Sequence, residues 1–235
     1  MKDYSRLFAI TAAVALISCS AQAQVKQPRQ LSNFRVVSSS SGIDVFLTQG
    51  PTTSVVVEAP SETQSHLLTE VRGETLRIGW EPNYSWRSKL SGKRKANVYI
   101  TCAQLTGVSL SGGSDAKGES NFTVDDFKIE ASGGSGVKLT LTAKSLTSVA
   151  SGGSDLDLSG RVERQTVQVS GGSDYNAFAL QSTKATVSAS GGSDVNVSVD
   201  GELSSSASGG SDVRYKGAAK VTSSHSGGGS VHHVQ

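Results

Sequence analysis

The sequence predicts an all-β protein, a parallel β-helix in which the chain winds into a solenoid. Three observations lead to this fold class. A five-residue phrase recurs at near-constant spacing, apolar residues stand at every second position between its copies, and the repeats contain no proline. Self-similarity with a period of about 20–50 residues is typical of solenoids and related arrays.

The phrase SGGSD sets the period. It begins at Ser111, Ser151, Ser170, Ser190 and Ser208, and the variants SGGSG and SGGGS begin at Ser132 and Ser226. Successive copies start 21, 19, 19, 20, 18 and 18 residues apart. So regular a period indicates one structural unit, a coil, that is repeated along an axis.

Between the copies, apolar and polar residues alternate. From 187 to 199 the odd positions hold Val, Ala, Gly or Ser, and the same pattern recurs in VKLTLTA (137–143) and RQTVQVS (164–170). A period of two predicts strands with one buried face. All four prolines precede residue 83, so none removes an N–H from the repeated ladders. We therefore predict coils of 18 to 21 residues, each with two or three short strands and a glycine-rich corner.

Residues 34–110 are less regular but contain several runs of the same kind. SSGIDV (40–45) is a diverged copy of the phrase, and SETQSHLLTEV (61–71) is expected to hold a helical turn. We interpret 34–110 as irregular N-terminal coils and 111–235 as regular coils of one domain, 34–235. Residues 24–33 are predicted to be a polar linker.

The N-terminus has the features of an export signal. A basic start precedes an apolar run at 7–18, too short to span a bilayer. Two cleavage sites fit equally well: an A-x-A site before Gln24, giving a leader of 1–23, or a lipobox ending at Cys19, giving a leader of 1–18 and a lipid on that cysteine. The protein is expected in the periplasm, at the outer membrane or cell surface, or in the medium, with membrane contact only through a lipid at Cys19.

Charge and cysteine content argue against a nucleic-acid partner and against an intrachain disulfide. Without residues 1–23 the chain has 20 basic and 19 acidic residues, a net charge of +1, so no nucleic-acid partner is expected. Cys102 is then the only cysteine, which rules out an intrachain disulfide. It stands in the apolar run VYITCAQL, and we expect a buried, unreactive thiol.

The repeated phrase has a structural and a functional interpretation. Its glycines permit positive φ at a corner, and its serines can bind nearby backbone. If the coils are in register, its carboxylates form an outward column, interrupted at Gly136 and made of Asp115, Asp155, Asp174, Asp194 and Asp212. Carboxylates about 4.8 Å apart repel by about 0.9 kcal/mol in water, which invites a cation such as calcium. The calcium nonapeptide places its Asp two positions later, so no metal site is predicted.

The segment 80–98 is the most distinctive surface candidate. It combines aromatic and basic side chains that suit stacking on sugars or contact with anionic polymers; the candidates are Trp80, Tyr84, Trp86, Arg87 and Lys89. The alternative is a solvated hairpin whose aromatic rings fold onto the solenoid. The four histidines are scattered, and no catalytic motif is present, so neither a metal site nor catalytic residues are predicted.

The order of these segments resembles a known family. SSGIDVFLTQG, TSVVVEAP, TLRIGW and NVYITC precede LTGVSLSGGSD, the serial SGGSDV coils and RYKGAAKVTSSHSGGGS. Over residues 34–230 this order is similar to the bacterial head GIN domain, a group associated with auto-transporter adhesins and common in Bacteroidetes. The resemblance implies a right-handed parallel β-helix and supplies no catalytic residues.

Three functions follow as hypotheses. The first is a non-enzymatic exported adhesin that presents a rigid surface to glycans or to extracellular and envelope proteins. The second is a polysaccharide lyase or glycosidase, since β-helices host such enzymes, although fold alone cannot support this assignment. The third is a structural rod stabilised by calcium.

Overall fold

The protein is a β-solenoid of about seven turns, as the repeat period predicts. The computed structural model describes residues 24–82, 84 and 96–235. The predicted leader, with Cys19, lies outside these residues. In the described part no helix is long and apolar enough to cross a membrane.

The N-terminal third contains short strands and one helical turn. These elements are β1 (Gln24–Pro28), β2 (Val36–Ser40), β3 (Ile43–Gln49), β4 (Ser54–Pro60), α1 (Ser61–Gln64), β5 (Leu67–Arg72), β6 (Thr75–Trp80), β7 (Ala96–Cys102) and β8 (Gly107–Ser111). The predicted helical turn is confirmed as α1. Residues 24–28, predicted to belong to a linker, instead form β1. The physical reason is that β4 has a free edge, and β1 forms antiparallel backbone hydrogen bonds with it.

The repeats form long strands in which the alternation of buried and exposed side chains is interrupted partway along. They are β9 (Asp115–Ser132), β10 (Gly136–Ser151), β11 (Asp155–Val169), β12 (Asp174–Gly191) and β13 (Asp194–Gly209), followed by β14 (Asp212–Lys216), β15 (Lys220–His225) and β16 (Ser230–His233). The copies of the phrase connect these strands as tight corners. Neighbouring coils pair parallel and in register, with Asp155 opposite Asp174 and Asp174 opposite Asp194.

Each coil therefore has two faces. The approach face consists of the strand segments that lead into the corners, such as 146–151, and the exit face of those that leave them, such as 155–161. Inward side chains of the two faces meet in one core made chiefly of Val, Leu, Ile and Ala. Larger rings are few, and Phe122 and Tyr175 are fully buried. The alternation in the sequence is thus explained by burial of one strand face.

The corners use the residues of the phrase as the sequence suggests. The fourth residue, serine, is buried, and its hydroxyl donates to the carbonyl oxygen of the first serine: Ser135 to Ser132 at 2.8 Å and Ser154 to Ser151 at 2.9 Å. The first glycine takes a positive φ, which is +72° at Gly209. A corner thus closes without leaving the buried hydroxyl unpaired.

The N-terminal coils are stacked out of sequence order. The coil made by β2 and β3 lies between the coil made by β6 and β7 and that made by β8 and β9, because Val36 pairs with both Thr75 and Gly107. Antiparallel strands then close this end: β5 on β6, β4 on β7 and β1 on β4. Residues 34–110 therefore form partly coils and partly an antiparallel cap.

The C-terminal end is closed differently. Strands β15 and β16 stack on β13 and β14, and no described strand pairs with their outer edges. In this last coil two inward positions are polar, because Ser223 and His225 stand opposite the inward-facing Ser205 and Ala207 of β13. Both side chains are exposed. Val221 and Val231 of this coil still pack against the core, so polar side chains cover part of its end, as is typical of terminal repeats of solenoids.

The prediction of a buried Cys102 is confirmed. This side chain is 2% exposed in the core, and burial raises the pKa of its thiol to about 11. The thiol is therefore protonated at neutral pH, and a protonated thiol is a poor nucleophile.

Candidate functional site: an aromatic groove near the N-terminal end

A groove of about 650 Å³ lies outside the sheet formed by β2, β5 and β6. We call it the N-terminal groove; the residues that matter for its chemistry are Ser38, Ser40, Leu68, Glu70, Arg72, Arg77, Gly79, Trp80, Glu81 and Tyr84. Its position follows from the stacking order. Residues 81–95 connect β6 to β7, at the place in the coil where a short corner connects β2 to β3. A long connection at this one coil makes it unlike the regular corners.

Three rings form a continuous stack along one side of the groove. The ring centroids of His66 and Tyr84 are 4.2 Å apart, and those of Tyr84 and Trp80 are 5.5 Å apart, with interplanar angles of 18° and 29°. All three side chains are only partly buried. Aromatic side chains with a partly exposed apolar surface and a polar tip are suited to binding amphipathic ligands.

Trp80 anchors this stack to the solenoid. It packs against the core, and its Nε1 donates a hydrogen bond to the carbonyl oxygen of Ser41 at 3.2 Å. Ser41 lies in the corner between β2 and β3. The aromatic rings are therefore held on a rigid coil, which lowers the entropy cost of binding.

The floor of the groove is open because Gly79 has no side chain. A Cβ at this position would lie 3.4 Å from the Oγ of Ser40 and near no other atom. Across the antiparallel pair Gly79 stands opposite Leu68, which is 37% exposed. The floor thus offers both apolar surface and hydroxyl groups, the combination found in ligand pockets.

The charged groups of the groove are unevenly paired. Arg72 Nε lies 2.8 Å from Glu70 Oε1, and His66 Nδ1 lies 2.9 Å from Glu81 Oε2. Arg77 stands directly opposite Glu70 across the β5–β6 pair, but that carboxylate is turned to Arg72. Within the described chain, the guanidinium of Arg77 makes no ion pair or hydrogen bond.

The structure brings together part of the predicted surface site. Trp80 and Tyr84 are in contact, whereas Trp86, Arg87 and Lys89 lie outside the described residues. Sequence reasoning missed His66, which it treated as one of four scattered histidines. Its place in the stack depends on the antiparallel pairing of β5 with β6, and no periodicity in the sequence predicts this pairing.

The predicted column of carboxylates exists on the exit face. The register aligns Asp155, Asp174, Asp194 and Asp212, and Gly136 interrupts the line above Asp115. The structure extends the column by one residue, because Asp44 accepts a hydrogen bond from the backbone N–H of Asp115 at 3.4 Å. The column thus begins one coil before the repeats.

Protein groups are partners of several carboxylates in this column. Asp115 accepts a hydrogen bond from the backbone N–H of Gly136 at 2.8 Å, and a Cβ on Gly136 would meet that carboxylate oxygen at the same distance. Arg214 lies 3.1 Å from Asp194 and 3.4 Å from Asp212. Among residues 24–82, 84 and 96–235, no three His, Cys, Asp or Glu side chains converge as a metal ion requires.

A family model matches residues 33–219, and its description is "Putative auto-transporter adhesin, head GIN domain". The chain belongs to this family. The match covers both the regular coils of the head GIN domain and the strands that build the N-terminal groove. The resemblance seen in the sequence is thereby confirmed.

Solved structures share the fold of this head GIN domain. A protein of Bacteroides fragilis described as a "putative adhesin" superposes with a TM-score of 0.84 at 20% identity, covering 91% of this chain and 98% of that one. A "putative lipid binding protein" of Parabacteroides distasonis gives 0.71 at 18% identity, with 92% and 98% covered. A "putative adhesin" of Parabacteroides merdae gives 0.70 at 15% identity, with the same coverage. Among curated proteins, none matches this chain.

Proposed function

We propose that this head GIN domain is a non-enzymatic adhesin, exported to the cell envelope or beyond, that binds glycans of other cells or of the surrounding matrix. Its family and the adhesins that share its fold support a binding role. Export is supported by the basic start and the apolar run at 7–18. The two processing routes, before Gln24 or at Cys19, both lead out of the cytoplasm.

The observation that carries the glycan assignment is the stack of His66, Tyr84 and Trp80 beside a hydroxyl-lined floor. A sugar ring has apolar C–H faces and polar edges, so it needs aromatic surface and hydrogen-bonding groups together. The N-terminal groove supplies both, and the coil beneath fixes their positions. The rest of the solenoid acts as a rigid spacer that carries the groove.

The assignment is tested by filling the groove. Gly79 has an ordinary φ and open space around it, so Gly79→Val adds a side chain to the floor without backbone strain. We expect the purified protein to bind members of a glycan array and the variant to lose at least about tenfold in affinity, because the floor is no longer accessible.

The matched control is Ser188→Val, which adds a similar volume to an exposed position of the approach face, away from the groove. This variant should bind as the wild type does, and both variants should melt within a few degrees of it. The proposal is wrong if the wild type binds no glycan, or if the two substitutions weaken binding equally.

A further inference from the structure

Among the described residues that line the groove, one cation, Arg77, has no partner, and it lies on the floor. In register, Arg77 stands between Glu70 of β5 and Ser38 of β2. Its guanidinium is exposed, whereas both groove carboxylates have partners of their own: Glu70 pairs with Arg72, and Glu81 shares a hydrogen bond with His66. An exposed cation without a partner at a binding surface favours ligands of negative charge.

The neighbouring positions leave room for a ligand beside that cation. Gly79 follows Arg77 at the next outward position of β6, about 6.6–6.8 Å further along the strand. Because Gly79 lacks a side chain, the space above it is bounded by Arg77 on one side and by Trp80 and Tyr84 on the other. The groove volume of about 650 Å³ is large enough for a sugar ring at this place.

We propose that the N-terminal groove recognises a uronic acid unit of an acidic polysaccharide. The ring lies against the aromatic stack, and its carboxylate pairs with the guanidinium of Arg77. A guanidinium presents parallel N–H donors that match the two oxygens of a carboxylate, which gives both charge and geometric selectivity. The hydroxyls of Ser38 and Ser40 remain to bind the sugar's own hydroxyl groups. This inference rests on the proposed glycan-binding function.

The test compares polymers that differ only in charge. Polygalacturonate, alginate and hyaluronan are each titrated onto the full chain beside their methyl-esterified forms, with EDTA present so that calcium does not cross-link them. We expect the wild type to bind at least one acidic polymer about tenfold or more tightly than its ester. This preference should shrink as salt is raised.

Two substitutions assign the preference to Arg77. Arg77→Gln should bind acid and ester alike, and Arg77→Lys should recover only part of the difference, because an ammonium group cannot form the paired hydrogen bonds. Arg164→Gln is the control, since Arg164 is an exposed arginine of β11 outside the groove and pairs weakly with Glu163 at 3.7 Å. It should keep the wild-type preference. Melting temperatures of all variants establish that they are folded.

The outcomes separate this inference from the function on which it rests. Binding of neutral glycans only, equal binding of acid and ester, or a preference that survives in Arg77→Gln overturns the uronate inference and leaves the adhesin. Binding of polyglutamate as tight as that of the acidic polysaccharides also overturns it, because the sugar ring would then contribute nothing. Failure to bind any glycan overturns both.

Discussion

The two glycines of the corner phrase at 208–212 have different physical roles, although they are the same residue type in the sequence. Gly209 has a φ of +72°, and a Cβ there would lie 2.9 Å from the carbonyl oxygen of Gly191 in the coil below. Gly210 has no positive φ, and a Cβ would lie 3.6 Å from the same oxygen, an ordinary contact. Composition and period predict a glycine-rich corner, but only the backbone shows that both glycines have a positive φ at 112–113, 133–134 and 152–153, and only the first at 209–210.

This difference predicts opposite results for adjacent substitutions. Gly209→Ala should lower the free energy of unfolding by about 2 kcal/mol or more, since it combines a left-handed backbone with a close contact to backbone atoms. Gly210→Ala should change it by less than about 0.5 kcal/mol. Urea-induced unfolding, with equal m-values, measures both. Equal destabilisation by the two changes would contradict the structure of this corner.

Some residues of the groove could be identified from the sequence, and others could not. Trp80 and Tyr84 could be singled out because aromatic and basic residues are concentrated in 80–98. His66 and Arg77 could not, because their relevance depends on the β5–β6 pair and on which base holds each carboxylate. The pairing of antiparallel strands in the cap depends on tertiary structure, and no repeating pattern in the sequence predicts it.

Among the structural elements, the last coil differs from the others in having polar side chains at two inward positions. Its strands have the hydrogen-bonding edge of any terminal strand, which is a template for further pairing. The sequence places polar Ser223 and His225 at positions that are inward in other coils. Both side chains are exposed, and they cover the end of the core with groups that favour water.

Making this end apolar should therefore cause association. We expect the double substitution Ser223→Val and His225→Val to increase the apparent mass in sedimentation velocity as concentration rises, because an apolar end with a free strand edge can pair with another copy. The control is Thr222→Val with Ser224→Val, which changes outward positions of the same strand. If both variants associate equally, or neither does, the polar inward residues are not what protects this end.

For the whole molecule, the aspartate column raises the question of whether bound calcium or the protein itself stabilises the stack of coils. Calcium takes six to eight oxygen ligands around one point, whereas a straight column presents its carboxylates along a line. Asp115, Asp194 and Asp212 already have backbone or arginine partners. Burial and backbone pairing between neighbouring coils therefore account for stability, as in other solenoids.

We expect the melting temperature to be the same in calcium as in EDTA with sodium chloride at matched ionic strength. Any small rise with salt alone would reflect screening of repulsion between neighbouring carboxylates, which falls steeply with ionic strength. Differential scanning calorimetry measures the effect. A rise of several degrees that occurs with calcium and not with sodium would overturn this expectation and support the calcium-stabilised rod.

The repeats in the sequence were enough to predict the solenoid, its corners, the carboxylate column and the gap in that column at Gly136. These features are repeated, and each copy makes the same local choice of strand alternation, turning glycine and bonded serine. The order of the first coils, the pairing of β1 with β4 and the assembly of the groove around Arg77 and Gly79 could be seen only in the three-dimensional structure. Those features occur once and join residues far apart in the chain, so their stability comes from burial and pairing that no local pattern encodes.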